Sequence, residues 1–346
     1  MTESCDEELR STFASLGFIT SSGAVTGLLR RAKKAADISD VTVLLDGETG
    51  TGKQVLAQAI HRLDQKRGGL AFVTVHCSTV TEALAESELF GHRRGAFSGA
   101  IQDRRGLFQS AHQGTLFLDD VNDLPANLQP KLLDVLQRGT LRPVGSDRET
   151  PIDVRIIAAC NQPLEPLVRE GRFRADLYHR LNVVKLSLPA LRERREDMEV
   201  LILAFARRHE SLYKPIEAVD PELLVLLSAQ SFAGNVRELE NAVQRMLFLK
   251  AEGRTLGIAD WVAQAGPDAS AGGQKLFSDA AVATWKAISQ CGVPYTEARQ
   301  EIEKRVLQIA LTIPGCTRRE MAQRLCTSER TLYHKIRMLG RDEPAA

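Results

Sequence analysis

Short apolar runs alternate with helix-like segments over the first half of the chain. The five runs have four to six residues each and are Val41–Leu45, Ala71–Val75, Thr115–Leu118, Val154–Ala159 and Val183–Leu188. Unbroken apolar runs of this length are typical of strands buried on both faces of a parallel sheet. From Val55 to Leu63, apolar residues recur at helical spacing instead. The pattern predicts an α/β unit in which helices connect parallel strands.

The strand pattern stops at Pro189, and helical periodicity replaces it. The helical segments are Asp197–Arg208, Pro221–Ala229 and Asn235–Leu249, followed by a stretch rich in Gly, Ala and Ser that is typical of a linker. The predicted units are, in chain order, a short N-terminal tail (1–20), an α/β subdomain (21–188), a helical subdomain (189–252), a linker (253–284) and a small all-helical domain (285–346).

The composition is that of an ordinary globular protein. The chain has 346 residues, of which 43% are hydrophobic and 26% charged, and its net charge of +1 argues against a uniformly basic nucleic-acid-binding protein. Six scattered cysteines without C-x-x-C spacing indicate neither a zinc site nor a disulfide framework. The acidic N-terminus lacks the apolar stretch of a signal peptide, and no apolar run is long enough to span a bilayer. We therefore expect a soluble, cytoplasmic protein with no membrane partner.

A glycine-rich segment follows the first predicted strand and precedes a predicted helix. Its residues are Gly47, Glu48, Thr49, Gly50, Thr51, Gly52 and Lys53, which fit the phosphate-loop pattern G-x-x-x-x-G-K. In that context backbone N–H groups bind phosphates at a helix N-terminus. Gln54 stands where the general phosphate loop has Ser or Thr to ligate magnesium, so the metal must depend more on water and on other ligands. Residues 47 to 54 are therefore predicted to bind a nucleotide.

Two carboxylates, Asp119 and Asp120, follow the predicted strand Thr115–Leu118. Adjacent carboxylates are costly to bury without partners, which makes Mg²⁺ the natural partner of Asp119 and leaves Asp120 to polarise an attacking water. Standing alone, such a pair would more often end a strand and cap the next segment. The phosphate loop upstream favours the catalytic interpretation.

A hexapeptide lies between these two motifs and consists of Gly95, Ala96, Phe97, Ser98, Gly99 and Ala100. Its glycines leave the backbone free to change conformation, and Phe97 offers an apolar tip with no amphipathic pattern around it to bury it. The alternative is a plain glycine-rich surface loop. A mobile apolar tip within a nucleotide-binding unit instead predicts contact with a partner protein.

Several motifs together resemble the AAA+ domain of sigma-54-dependent transcriptional activators over about residues 20–252. They are Glu86–His92, the hexapeptide, Gly114–Asp119, Phe173–Leu177, Leu191–Arg194 and Gly234–Leu239. The resemblance implies an AAA+ P-loop parallel sheet with a helical lid, which hydrolyses ATP with Mg²⁺. It also implies that the hexapeptide engages sigma-54 in the closed RNA polymerase complex and couples hydrolysis to promoter opening.

The same resemblance assigns roles to four further residues. Arg174 and Arg180 match arginines that reach the γ-phosphate bound by a neighbouring subunit, which implies a homo-oligomer, from a dimer up to a hexameric ring. Asn161 resembles the polar sensor of the attacking water or γ-phosphate, and Arg237 resembles the sensor of the lid. Without the family, the first two are ordinary surface arginines, Asn161 is a turn residue, and Arg237 is a first-turn arginine in a helix capped by Asn235.

The chain departs from the family pattern at five positions. Asp120 replaces the usual Glu and is shorter by one methylene, and a displacement of about 1 Å can lower a rate on the order of a hundredfold. His76 stands where an Asn usually restrains that Glu, Ser98 replaces Thr, and Phe232-Ala233 replace Trp-Pro. Two interpretations stay open: an ATPase that remodels sigma-54 polymerase, and an ATP-binding, DNA-binding regulator with weak or no hydrolysis. An unfoldase or helicase would share the phosphate loop but not the hexapeptide.

The last predicted domain has helix-turn-helix form and resembles the Fis-type DNA-binding domain. Residues 317–341 carry seven Lys or Arg against two Glu, a basic patch suited to DNA. By the resemblance, a second helix over Ser328–Leu339 enters the major groove of enhancer DNA. Its candidate contacts are Arg330, Tyr333, His334 and Lys335. The alternative is a generic basic helical hairpin.

Only the short tail of residues 1–20 precedes the predicted α/β subdomain, whereas a receiver domain needs roughly 100 residues. We therefore expect no receiver domain. Control is expected from a separate regulatory protein or from the expression level, if the activity is controlled at all.

Overall fold

The computed structural model describes residues 2–78, 82–97, 99–210, 213, 215–250, 252–263, 294 and 297. All of them except the last two belong to one compact unit, Met1–Gln264. Ser98 of the hexapeptide lies outside the described residues, and so does the predicted helix-turn-helix with Arg330, Tyr333, His334 and Lys335.

The α/β subdomain contains a five-stranded parallel sheet with the strand order β2-β3-β6-β1-β7. Its elements are α1 (Thr2–Ser15), α2 (Gly23–Asp37), β1 (Val43–Asp46), α3 (Lys53–Leu63), β2 (Phe72–His76), α4 (Glu82–Phe90), α5 (Leu107–Ser110), β3 (Thr115–Asp119), α6 (Gln129–Arg138), β4 (Thr140–Leu141), β5 (Thr150–Pro151), β6 (Arg155–Cys160), α7 (Leu164–Arg169), α8 (Ala175–Leu181) and β7 (Val184–Ser187). Strands β4 and β5 form a separate two-stranded antiparallel ladder.

The predicted α/β architecture is confirmed. Each of the five apolar runs overlaps one strand of the parallel sheet, and no predicted end differs from the observed end by more than two residues. The central strand β6 is buried along its whole length, which is why its sequence shows no polar alternation.

The two faces of the sheet carry separate hydrophobic cores. In β3, Leu116 and Leu118 pack towards one core with α4 to α8, whereas Phe117 packs towards the other core with α1, α2 and α3. The alternation follows from the two-residue period of a strand. Helices therefore cover both faces, and the carboxyl ends of the strands are left to form an edge that can bind a ligand.

The residues that were predicted as a short tail include helix α1. Phe13 and Phe18 are buried in the core beneath α2, and Arg30 of α2 makes a bidentate ion pair with Asp6. The hydrophobic contacts of α1 thus extend the α/β subdomain towards the N-terminus.

The helical subdomain follows the sheet, and its three predicted helices are confirmed. Its elements are α9 (Asp197–Arg208), β8 (Ala218–Val219), α10 (Pro221–Ser228), α11 (Asn235–Leu249), β9 (Thr255–Leu256) and α12 (Ile258–Ala263). The sequence predicted a linker from residue 253, but β9 pairs with β8, Leu256 is fully buried, and Trp261 packs on the core of the subdomain. The helical subdomain therefore extends to Ala263.

Within the part of the chain that the structure describes, no helix combines the length and the apolar character needed to cross a lipid bilayer.

Candidate functional site

The phosphate loop, Gly47–Lys53, connects β1 to α3. Gly47, Gly50 and Gly52 have φ angles of 153°, 80° and 106°, which favour glycine. A side chain at Gly50 would also lie 2.1 Å from the carbonyl oxygen of Gly234 in the helical subdomain. The three glycines therefore allow the backbone conformation of the turn. Gly50 also allows the helical subdomain to approach the loop closely.

Lys53 begins α3, and its side chain returns over the loop. Its ammonium group donates hydrogen bonds to the carbonyl oxygens of Gly47 (2.7 Å) and Glu48 (3.0 Å). Burial lowers the pKa of Lys53, against the opposing effect of the carboxylates Asp120 and Asp119. The lysine charge is thus held at the loop and interacts with Asp119, which ends β3, and with Asp120, which follows it.

Asp119 and Asp120 lie at the carboxyl end of β3, as predicted. Asp119 is the last residue of the strand, and burial raises its pKa, as does the neighbouring charge of Asp120. Asp120 has φ 52° and ψ 51°, the left-handed conformation. A half-buried carboxylate next to a second carboxylate and a lysine is a chemically suitable ligand for a magnesium ion.

His76 ends the neighbouring strand β2 directly opposite Asp119. Its Nδ1 lies 3.3 Å from Oδ2 of Asp119. By the family resemblance His76 is expected beside Asp120, because an Asn at this position usually restrains the catalytic Glu. The structure shows a contact of His76 with Asp119, since the parallel register places these two residues side by side.

The phosphate loop, the acidic strand end and the helical subdomain enclose a cleft of about 210 Å³. The cleft is lined by Thr49, Gly50, Gly52, Lys53, Gln54, Val55, Asp119, Asp120, Val236, Arg237 and Glu240. The structure therefore brings together most of the predicted phosphate loop, both predicted acids and the predicted sensor Arg237.

Asn161, Arg174 and Arg180 do not line this cleft. Asn161 follows β6 at the same edge of the sheet as Asp119, and its backbone N–H donates to Oδ1 of Asn122 (3.3 Å). The other two lie at α8: Arg174 precedes the helix and makes a bidentate ion pair with Asp176 (3.0 and 2.8 Å). Arg180 donates to the carbonyl oxygen of Leu136 (2.7 Å).

Asn235 has a different role from the one expected. It was predicted to cap its helix, but the N-cap position of α11 is Gly234, and the Asn235 side chain is fully buried at the phosphate loop. Its Oδ1 accepts from the backbone N–H of Leu191 (2.8 Å), and its Nδ2 donates to the carbonyl oxygen of Thr49 (3.0 Å). Asn235 therefore joins two segments of the helical subdomain to the phosphate loop.

Two arginines that sequence reasoning left without a role also contact the phosphate loop. Arg192 makes a bidentate ion pair with Glu48 (2.8 and 2.6 Å). This pair and a bond from Asn235 lower the pKa of Glu48 to about 2. Arg194 is buried and donates to the carbonyl oxygen of Thr51 (2.6 Å). The only sequence signal was their place in the Leu191–Arg194 motif.

Backbone hydrogen bonds join the described residues of the hexapeptide across the loop. The N–H of Gly95 donates to the carbonyl oxygen of Ala100 (2.8 Å), and the N–H of Ala100 donates to that of Phe97 (3.0 Å). Phe97 is 39% exposed, and its ring meets the edge of the His92 ring with centroids 5.0 Å apart. His92 is itself buried and lies 2.6 Å from the hydroxyl of Ser87. The apolar tip thus rests on a fixed histidine while much of it stays exposed.

A second loop supports the hexapeptide from the side, and sequence reasoning missed it. The N–H of Arg93 donates to the carbonyl oxygen of Val144 (3.0 Å), and the N–H of Val144 donates to that of Gly91 (2.9 Å). Gly145 lies so close that a side chain there would meet Cβ of Ala96 at 2.7 Å. No local pattern signals this contact, because it joins segments far apart in the chain.

Comparison with known proteins covers both subdomains. Residues 18–187 match the family model described as the sigma-54 interaction domain, and residues 192–273 match that of the AAA+ ATPase lid domain. Regulatory protein AtoC of Escherichia coli (strain K12) is 37% identical over 325 residues, which cover 94% of this chain and 68% of AtoC.

Two further relatives from the same organism are longer than this chain. Transcriptional regulatory protein GlrR is 46% identical over 232 residues, which cover 67% of this chain and 52% of GlrR. The DNA-binding transcriptional activator HyfR is 40% identical over 338 residues, which cover 96% of this chain and 49% of HyfR. The match thus spans about half the length of these two proteins.

Solved structures of NtrX from Brucella abortus share the fold. The complex with ATP has a TM-score of 0.64 and 30% sequence identity, and the match covers 93% of this chain and 69% of that one. The complex with ADP has a TM-score of 0.65 and 29% identity, with 98% and 72% covered.

Proposed function

The chain belongs to the family of sigma-54-dependent transcriptional activators, and from this premise we propose that it uses ATP hydrolysis to remodel sigma-54 RNA polymerase. The observation that carries the proposal is the cleft that unites the phosphate loop, Asp119, Asp120 and Arg237. The hexapeptide loop, with its exposed Phe97, supplies a separate surface for the polymerase. The complexes of NtrX with ATP and ADP support nucleotide binding by this fold.

At the hydrolytic site, peptide N–H groups of residues 47 to 54 bind the phosphates, and the Lys53 ammonium offsets their negative charge. Asp119 is the ligand that would hold a magnesium ion, which when bound neutralises charge on the phosphate oxygens. Asp120 accepts a proton from the attacking water or orients it. Asn161 orients the same water or the γ-phosphate, and Arg237 contacts the phosphates from the helical subdomain.

Arg174 and Arg180 complete the site of a neighbouring subunit in this proposal. Arg174 is the residue that precedes α8, and Arg180 lies within α8. Neither arginine lines the cleft of its own chain. A planar guanidinium suits the charge that develops on a transferred phosphoryl group. The active form is then a homo-oligomeric ring, proposed to be a hexamer.

The proposed partners are sigma-54 in its polymerase and enhancer DNA. The hexapeptide Gly95–Ala100, including Ser98, contacts sigma-54, and Phe97 is its apolar anchor. Enhancer DNA is bound by the C-terminal domain through Arg330, Tyr333, His334 and Lys335. DNA binding concentrates the activator near the promoter, and hydrolysis supplies the energy for opening.

Replacing Phe97 should separate ATP hydrolysis from promoter opening. In Phe97→Ala we expect ATP hydrolysis close to that of the unaltered protein, because Phe97 is outside the cleft. Open-complex formation by sigma-54 RNA polymerase should fall roughly thirtyfold, as for an interface anchor worth about 2 kcal/mol. The two rates are measured on the same preparation, by phosphate release and by promoter opening.

Val225→Ala is the matched control, since Val225 is an exposed apolar residue on α10 that does not line the cleft and is not part of the hexapeptide. It should leave both rates unchanged. Normal promoter opening by Phe97→Ala would refute the proposed coupling role of the hexapeptide loop.

A further inference from the structure

Three consecutive carbonyl groups of the phosphate loop accept hydrogen bonds from the helical subdomain. The carbonyl oxygen of Thr49 accepts from Nδ2 of Asn235 (3.0 Å), and that of Gly50 accepts from the backbone N–H of Val236 (3.0 Å). The carbonyl oxygen of Thr51 accepts from Nη2 of Arg194 (2.6 Å). The helical subdomain thus contacts the main chain of the loop residue by residue.

These bonds determine which way the N–H groups of the loop point. A peptide unit is planar and trans, so its C=O and the following N–H point in opposite directions. When the carbonyls of Thr49 and Thr51 are held towards the helical subdomain's donors, the N–H groups of Gly50 and Gly52 turn away from those donors. Peptide N–H groups presented in this way are the groups with which a phosphate loop binds anions.

The donors themselves are rigidly held. Asn235 is fully buried, and Arg194 is 2% exposed, with Nη1 3.7 Å from Oδ2 of Asp197. Asp197 in turn accepts hydrogen bonds from the hydroxyl of Thr20 and from the N–H of Ser22. Buried polar groups with several partners have little freedom to move. The loop is therefore oriented by a fixed framework and not by mobile surface side chains.

We propose that Asn235 and Arg194 are positioning residues, which orient the phosphate-binding peptides of the loop from the helical subdomain. The exposed Arg192–Glu48 pair joins this framework through a hydrogen bond from Nδ2 of Asn235 to Oε2 of Glu48 (3.1 Å), and among the described bonds Arg192 donates to no loop carbonyl. The inference rests on the proposed nucleotide site and deepens it, because the placement of the helical subdomain then sets the affinity of the loop for phosphates. By linkage, bound nucleotide restrains the helical subdomain in return.

Two substitutions at Asn235 test this role without straining the main chain. Asn235 has φ 52°, a conformation that Gly and Asp tolerate better than Ala. Asn235→Asp keeps an acceptor for the N–H of Leu191 but cannot donate to Thr49. Asn235→Gly removes the same donor and brings no negative charge near Glu48, so it separates loss of the donor from repulsion.

We expect both variants to bind ADP about tenfold more weakly, which corresponds to about 1.4 kcal/mol. The KM for ATP should rise by a similar factor while kcat changes little, because oriented peptides bind substrate and transition state alike. Equilibrium titration with ADP and steady-state hydrolysis at varied ATP give the two readouts. A merely structural role would lower the melting temperature and leave the affinity of the folded protein unchanged.

Gln244→Ala is the matched control, since the Gln244 amide is on the same helix α11 and, among the bonds described, contacts only His209, which follows α9. It should bind ADP normally.

Lys53→Ala separates this inference from the proposed function: it should lose ADP binding. Normal ADP binding by both Asn235 variants, with binding lost in Lys53→Ala, would overturn the positioning role alone. Normal binding by Lys53→Ala would overturn the nucleotide site and this inference together.

Discussion

Asp120 is the residue at which the chain departs most directly from the chemistry of its family. Its φ of 52° and ψ of 51° are left-handed, and Asp and Asn are enriched in that region. The shorter carboxylate therefore fits its own backbone conformation. Whether it still activates water decides between the ATPase and the alternative regulator with weak or no hydrolysis.

Removing this carboxylate should affect the chemical step and not binding. In Asp120→Asn we expect kcat to fall about 10²- to 10⁴-fold, the usual contribution of a general base. The KM for ATP should stay close to its original value, because Asn keeps the size and tolerates the left-handed backbone. Steady-state hydrolysis measures both constants.

The rate of phosphate release by Lys53→Ala is the background rate for this steady-state hydrolysis assay. If the unaltered protein shows no turnover above Lys53→Ala, the alternative regulator is the correct reading. If Asp120→Asn hydrolyses ATP as fast as the unaltered protein, Asp120 is not the base.

At the scale of elements, a buried ion pair joins three segments of the α/β subdomain. Arg155 of β6 and Asp64 at the end of α3 are both buried and 2.5 Å apart (Nη1 to Oδ2). Arg155 also donates to the carbonyl oxygen of Ala35 in α2 (2.6 Å). Burial by itself would raise the pKa of Asp64. The hydrogen bonds from Ser39 and Arg155 lower this pKa by more than burial raises it, so the net shift is downward. The strand pattern around Arg155 did not predict this pair.

Removing one partner of a buried pair leaves the other charge uncompensated. Asp64→Asn should therefore lower the free energy of unfolding at pH 7 by about 3 kcal/mol. The folded-state pKa of Asp64 lies below the usual value of 3.8, so its contribution is complete above that value and is lost as the pH falls through the lower folded one. The difference in the free energy of unfolding between the unaltered protein and Asp64→Asn should become smaller below about pH 4. Urea unfolding at several pH values measures it.

Asp6→Asn provides the comparison for this prediction, because it breaks the exposed bidentate pair with Arg30. Its cost should be about 0 to 1 kcal/mol. Equal costs for the two variants would show that burial does not govern the Arg155–Asp64 pair.

At the scale of the whole molecule, the compact unit ends at Gln264 and not near residue 252. Leu256 of β9 is fully buried, and Trp261 of α12 packs on the core of the helical subdomain. Because α11 carries both Asn235 and Arg237, the packing of α12 on this subdomain supports the nucleotide cleft at a distance.

Two fragments test this boundary. Residues 1–264 should unfold cooperatively and bind ADP. Residues 1–252 lack β9 and α12, and loss of about 2 to 3 kcal/mol of apolar burial should lower the melting temperature by roughly 5 to 10 °C. Calorimetry of the two fragments side by side makes the comparison, and equal melting temperatures would place the boundary at 252 after all.

Much of the fold and of the site could be predicted from local patterns. The five sheet strands and the helices α9 and α11 follow from apolar periodicity, with both ends of each of these helices predicted correctly. Asp119 and Asp120 meet the phosphate loop because the carboxyl ends of parallel strands share one edge. Side-chain partners were harder to predict: His76 contacts Asp119, and Asn235 contacts Thr49. Such contacts depend on register and on the approach of distant segments.

The sequence by itself determined the five strands of the sheet, the helices α3, α9, α10 and α11, their order, and the chemistry gathered in the phosphate loop, the acidic strand end and the hexapeptide. These features depend on the period of a strand or helix and on residue types within a few positions, so they can be read locally. Only the tertiary structure decided how the helical subdomain holds the carbonyls of Thr49 and Thr51, and how His92 and Gly145 support the hexapeptide loop. Those contacts join segments remote in the chain, and packing of the whole unit is what brings them within hydrogen-bonding distance.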